Sequence, residues 1–128
     1  MIVRAKITVP RAYSLIPRKR FASRLALKGP RQILWVVGPP GAGQPSLAID
    51  HLQRTQAPRV WFQLDEGDAD PATCFSYLGE ALRGATRRLK PSLPVFGPEY
   101  AKALSVFSMR FFEAFFARLP QGSIVVLD

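Results

Sequence analysis

The chain has 128 residues, 48% of them hydrophobic and 21% charged, with a net charge of +9; these are globular values that argue against disorder throughout. Its one cysteine, Cys74, and one histidine, His51, exclude an internal disulfide framework and argue against a zinc site, and both read as ordinary helix residues. Nine of the 18 basic residues lie between Arg4 and Arg31, ahead of the first acidic residue, Asp50. A basic, acid-poor N-terminus mimics a transit peptide or a nucleic-acid arm. However, Pro10, Pro17 and Pro30 interrupt any long amphipathic helix, and no apolar signal core follows Met1. The segment reads as folded, cytoplasmic sequence whose basic face suits phosphates, of a nucleotide or of nucleic acid.

Ile2 to Pro17 reads as an extended, proline-punctuated lead-in. Arg18 to Leu27 reads as a short basic helix with Phe21, Leu25 and Ala26 on one side, ended by Lys28-Gly29-Pro30. Residues 1–30 make up this lead-in, and residues 31–128 carry the core. Gln32 to Val37 is an apolar, β-rich run of strand length. It feeds Gly38-Pro39-Pro40-Gly41-Ala42-Gly43-Gln44-Pro45-Ser46, which follows the phosphate-loop pattern Gly-x-x-x-x-Gly-Lys-[Ser/Thr] except at the two residues that carry its charge chemistry.

Ser46 to Leu52 predicts a helix, and Pro45 suits its first position. In a working loop, glycines let backbone N–H groups face the phosphates, the helix N-terminus favours an anion, and the lysine neutralises charge. Gln44 carries no charge. Pro45 has neither a hydroxyl for magnesium nor a backbone N–H for phosphate, and Ser46 stands one position late. A ligand-free turn between strand and helix selects the same Gly and Pro.

Val60 to Leu64 predicts a second strand, followed by the acidic loop Asp65 to Asp70. Carboxylates at alternating positions invite a calcium or magnesium reading. The distal glutamate of a calcium loop is missing, and Asp70-Pro71 fits an N-cap followed by the first helical residue. The helix is predicted from Asp70 to about Leu89, with Phe75, Leu78, Leu82, Ala85 and Leu89 as its buried stripe. Lys90 to Pro98 is a loop. Glu99 to Leu119 is a further helix with Leu104, Phe107, Phe111, Phe115 and Leu119 on one face, widened by Phe112 and Phe116, as core or interface. Lys102, Arg110, Glu113 and Arg118 interrupt it too often for a membrane span. Gly122 to Asp128 is a buried-type strand ending in a carboxylate, the form of a Walker B segment whose aspartate holds magnesium. Any buried strand ending at the surface has that form too, and the glycine loop upstream favours the Walker B reading.

This order of segments resembles the nucleotide-binding domain of the MalT-like, LuxR-type transcriptional regulators, within the STAND class of signalling ATPases. The matching stretches are Lys6 to Pro10, Leu15 to Phe21, the glycine loop, Trp61 to Pro71 with its Leu-Asp-Glu-Gly-Asp element, Phe75 to Leu78, and Ile124 to Asp128. The resemblance implies an α/β fold: a partial P-loop NTPase of ASCE type, with a parallel sheet and flanking helices, incomplete in this chain. It further implies ATP with magnesium as cofactors. Gly38, Pro39, Pro40, Gly41, Ala42, Gly43, Gln44, Pro45 and Ser46 would lie at the phosphates, Arg18 and Arg20 near the base, and Asp128 at the metal. DNA is bound in such proteins through a C-terminal helix-turn-helix, which is not expected within these 128 residues.

The leading expectation is therefore an ATP-binding module of a transcriptional regulator with weak or no hydrolysis, because Gln44 and Pro45 depart from the pattern. The alternative is a non-catalytic interaction fragment or truncated gene product that binds no nucleotide. Direct nucleic-acid binding by the basic arm is disfavoured, since aromatic residues do not interleave with it. Unpaired sheet edges predict self-association, and no membrane partner is expected.

Overall fold

The computed structural model describes residues 4–11, 24 and 25, 33–87 and 92–128. The chain divides into two compact units, one formed by Met1–Thr8 with Pro58–Asp128, the other by Val9–Ala57. The fold is mixed α/β.

In the first unit, strand β1 (Arg59–Phe62) pairs in parallel with strand β2 (Ile124–Leu127), with Val60 opposite Val125 and Phe62 opposite Leu127. The ladder runs on beyond both ends: Ile124 N–H donates to the Pro58 carbonyl, Asp128 N–H to Phe62, and Leu64 N–H to Asp128. Parallel strands need a long crossover between them, supplied here by two helices, Pro71–Ala85 and Leu104–Arg118.

Residues alternate across a strand, so Val60 and Phe62 share one face. Both are buried in a core with Phe75, Leu78, Ala81 and Leu82 of the first crossover helix and Phe107, Phe111 and Phe115 of the second. Phe75 is the hub, its ring centroid 4.7 Å from that of Phe111 and 4.8 Å from that of Phe107. Fully burying a phenylalanine side chain stabilises by roughly 1.5–3 kcal/mol, so this aromatic cluster, rather than a two-stranded ladder, holds the unit together. Trp61 is buried on the opposite strand face.

The predicted boundaries move inward where neighbouring residues bind otherwise. Glu99 falls in a separate 3-10 turn, Pro98–Tyr100, before the helix at Leu104–Arg118. Arg118 is itself buried at the end of that helix, with Nη1 donating to the Ala114 carbonyl. Within the lead-in expected to be extended, Arg4–Ile7 instead forms a 3-10 turn, and the Lys6 carbonyl accepts from Gln63 N–H beside β1; Ile2, Val3 and residues 12–17 lie outside the described residues.

In the second unit the helix α1 (Gln44–Thr55) buries Leu47, Ile49 and Leu52, and ends at Gln56 in the left-handed conformation. In chain order, the helices of the first unit are α2 (Pro71–Ala85) and α3 (Leu104–Arg118). Of the strand expected at Gln32 to Val37, Gln32 lies outside the described residues, and Ile33 to Val37 forms no strand: it joins no ladder, and Ile33, Trp35 and Val37 are largely exposed. Propensity alone does not make a strand, because a strand's backbone bonds come from a neighbour, and among the described residues the sheet contains β1 and β2 only. The basic helix expected at Arg18 to Leu27 lies outside the described residues, apart from Arg24 and Leu25, which are helical. No helix among the described residues is long and apolar enough to cross a membrane.

Candidate functional site

Two constellations carry chemistry, one in each unit. In the second unit, the loop from Gly38 to Ser46 runs directly into α1. Ala42 N–H closes a turn onto the Pro39 carbonyl at 3.0 Å. Gly41 has φ +81° and Gly43 φ +80°, a region that costs a side-chain-bearing residue about 1–2 kcal/mol, so both positions require glycine. Gly43 is the N-cap of α1 and supplies no side-chain acceptor. The first turn of this 12-residue helix thus has backbone N–H groups and the positive end of the helix dipole, without a capping side chain to use them.

Gln44, at the lysine position of the pattern, bends back across the loop, and its Nε2 donates to the Gly38 carbonyl at 2.7 Å. A Cβ placed on Gly38 would lie 3.0 Å from that nitrogen and 3.1 Å from the Ala42 Cβ. The loop is therefore closed on itself by the residue that stands where the pattern has its lysine. Pro45 and Ser46 are exposed in the first turn. Arg18 and Arg20 lie outside the described residues.

Asp128 belongs to the first unit. Its N–H and carbonyl continue the β1–β2 ladder through Phe62 and Leu64, which fixes its backbone at the C-terminal end of the parallel strands, while the residue itself is exposed.

The second constellation was not foreseen from the sequence. Lys6 Nζ lies 2.6 Å from Asp68 Oδ2 and 2.8 Å from Asp65 Oδ2, with the Lys6 and Asp68 side chains only 8% and 5% exposed. The ammonium also sits 4.7 Å from the Tyr77 ring centroid and 5.3 Å from that of Phe62, within cation–π range. Asp65 and Asp68 form a reciprocal capping box around the 3-10 turn Glu66–Ala69: Gly67 N–H donates to Asp65 Oδ1 and Asp65 N–H to Asp68 Oδ2. Burial alone would lower the Lys6 pKa, but hydrogen bonds to Asp65 and Asp68, with their charges, outweigh it and hold the ammonium above its ordinary 10.5. The Lys6 hydrogen bond in turn holds Asp65 below the ordinary 3.8.

Asp70 caps α2 as its position before Pro71 predicts, accepting from Thr73 N–H at 3.0 Å and Thr73 Oγ1 at 2.7 Å. Those bonds, the hydroxyl's first, keep its carboxyl below the usual range. Asp65, Asp68 and Asp70 of the acidic loop are thus engaged by Lys6, by backbone N–H groups and by the Thr73 hydroxyl. Among the described residues no group of three His, Cys, Asp or Glu side chains is placed to hold a metal. Burial pushes the Cys74 thiol up, with Asp68 adding to the effect, so it is a poor nucleophile. The two halves of the Lys6 network are present in the sequence as a lysine within the basic N-terminal segment and an acidic cluster after β1, but nothing local joins the two.

These features define a mixed α/β protein with parallel strands and a glycine-rich loop opening a helix. Over 131 aligned positions the chain is 28% identical to the HTH-type transcriptional regulator MalT of Cronobacter sakazakii (strain ATCC BAA-894), a match covering all of this chain and 14% of that protein. The similarity supports a MalT-like relationship, and the chain spans well under two thirds of the relative's length. No family model and no solved structure matches the chain.

Proposed function

We propose that the chain is a degenerate nucleotide-binding module of a MalT-like transcriptional regulator, one that holds phosphate weakly through the backbone of Gly38 to Ser46 and does not turn ATP over. The observation that carries this reading is the pair of left-handed glycines, Gly41 and Gly43, leading into the uncapped N-terminus of α1, a geometry suited to an anion. The similarity to MalT along the whole chain supports it.

Magnesium fits the residues poorly. Pro45 offers no hydroxyl, and among the described residues Asp128 belongs to no group of three or more His, Cys, Asp or Glu side chains that could hold a metal. The reading therefore includes no metal-assisted step, and Asp128 as a magnesium ligand rests on the resemblance alone.

Phosphate entry must first release Gln44 from the Gly38 carbonyl, at a cost of about 0.5–1.5 kcal/mol for a neutral hydrogen bond. The absent lysine removes a charge-assisted contact of about 1.5–3 kcal/mol, and Pro45 a backbone donor of about 1 kcal/mol. Together these last two predict affinity roughly a hundred- to a thousandfold below that of a complete loop. Calorimetric titration with Mg-ATP tests this: Gln44→Lys with Pro45→Thr should tighten binding by that factor. Micromolar binding by the natural chain, unchanged by the double substitution, would overturn the reading. Absence of binding in both proteins would favour the second reading, an interaction fragment, which the closure of the loop by Gln44 also favours.

A further inference from the structure

The exposure of Ile33 to Val37 alternates: Ile33, Trp35 and Val37 are at least 85% exposed, Leu34 and Val36 less than half. That period of two is the period of a strand. The segment holds no charged residue, proline or glycine, and none of its backbone groups is hydrogen-bonded among the described residues. A short stretch of high β-propensity without charge or proline is prone to pair with another strand when left open.

One sheet edge is open in the complementary way. The Ile124 and Asp128 N–H groups donate toward β1, and the direction of backbone groups alternates along a strand, so those of Val125 and Leu127 point away from β1. Among the described residues nothing bonds to them, and β2 ends the sheet on that side. On the far side of β1, by contrast, the Lys6 carbonyl already takes Gln63 N–H. β2, Ile-Val-Val-Leu, carries no lysine or proline to blunt its edge.

We propose that Ile33 to Val37 of one copy of the chain adds to the outer edge of β2 in a second copy, continuing the β1–β2 ladder as a third strand. The occupant follows from what each side leaves unpaired. The edge presents backbone donors and acceptors beside the mostly exposed Leu127, and the segment presents the same groups on an uncharged, apolar strand. Strand addition of this kind takes its affinity from main-chain hydrogen bonds. Within one copy the segment joins no ladder, so the pairing is between copies.

Sedimentation equilibrium of the full chain, from low micromolar to near-millimolar protein, is the test, with hydrogen exchange at the Val125 and Leu127 amides as the local readout. Association should grow with concentration and slow exchange at both amides. Leu127→Pro removes an N–H that the β1–β2 ladder does not use, a substitution tolerated at an edge, and should weaken association roughly tenfold, the equivalent of one or two backbone hydrogen bonds. Leu127→Ala keeps that N–H and should retain most of the association. Trp35→Lys, in a segment outside the ladder, should leave each copy folded and abolish association. Far-UV circular dichroism confirms the fold of each variant. A chain that stays monomeric throughout, a folded Trp35→Lys variant that still associates, or Val125 and Leu127 amides that exchange equally fast across the range overturns the proposal. So does equal loss in Leu127→Pro and Leu127→Ala, which marks a side-chain contact in place of an added strand.

Discussion

Lys6 donates to Asp68 at 2.6 Å although the two residues are 62 apart in the chain. This bond fastens the Arg4–Ile7 turn to the acidic turn after β1. Removing one member of a buried pair leaves the other charge uncompensated, whereas replacing both with apolar residues is far better tolerated. Lys6→Met and Asp68→Leu should each lower the urea midpoint clearly, and the double variant should recover part of the loss. Recovery stays incomplete because Asp68 also accepts from Asp65 N–H. Strict additivity in this cycle would show that the pair is not coupled.

The pH dependence follows from the same turn. Asp65 and Asp70 are held below the ordinary 3.8, so their contribution to stability is present above that value and is lost as pH falls through their lower folded values. Lys6 is held above 10.5, so its contribution is complete below 10.5 and is lost as pH rises through the higher folded value. Urea midpoints should be flat near neutrality, falling below about pH 4 and above about pH 10.5. Asp70→Asn should shrink the acid limb, and an unchanged limb would count against the capping bond.

The aromatic core predicts a contrast between two neighbouring turns of α3. Phe111 is fully buried and touches Phe75, so Phe111→Ala should cost about 3–5 kcal/mol. Phe116 is mostly exposed, and Phe116→Ala should fall within about 0.5 kcal/mol. Chemical denaturation of both variants at low micromolar protein checks the ratio.

The two tryptophans report on the two units. Trp35 is 86% exposed and Trp61 2%. Acrylamide should quench one component of the fluorescence efficiently, and Trp35→Phe should remove it and leave a blue-shifted, protected emission. Uniform protection of both would show that Ile33 to Val37 is packed after all.

Much of the first unit was legible in the sequence because its signals are local. Asp70 before Pro71 marks a helix start, and Phe75, Leu78 and Leu82 mark its buried face. Gly122 before an apolar run marks β2, which lies parallel to β1 as the resemblance implies. The failures involve partners remote in sequence. Lys6 reads as one solvated cation among nine until the acidic turn is folded against it. Ile33 to Val37 has the composition of a strand, but a ladder must come from elsewhere in a sheet. At the glycine loop, Gly41 and Gly43 announce their left-handed backbone in advance. The inward bond from Gln44 to Gly38 does not, because an uncharged amide at that position is as free to face a ligand as the loop.

The parallel pairing of β1 with β2 also dictates the order of assembly. A hairpin can nucleate on its own turn, but these strands meet only after α2, α3 and the segments around them have been laid down, and the entropy of closing that excursion must be offset before any ladder bond forms. Phe75 and its partners on α3 are closer in sequence, so the aromatic cluster condenses first and serves as the template on which Val60, Phe62 and Val125 align. In pulse-labelled hydrogen exchange the amides of α2 and α3 should therefore gain protection before those of Ile124 to Asp128, making the sheet the last element of this unit to become native.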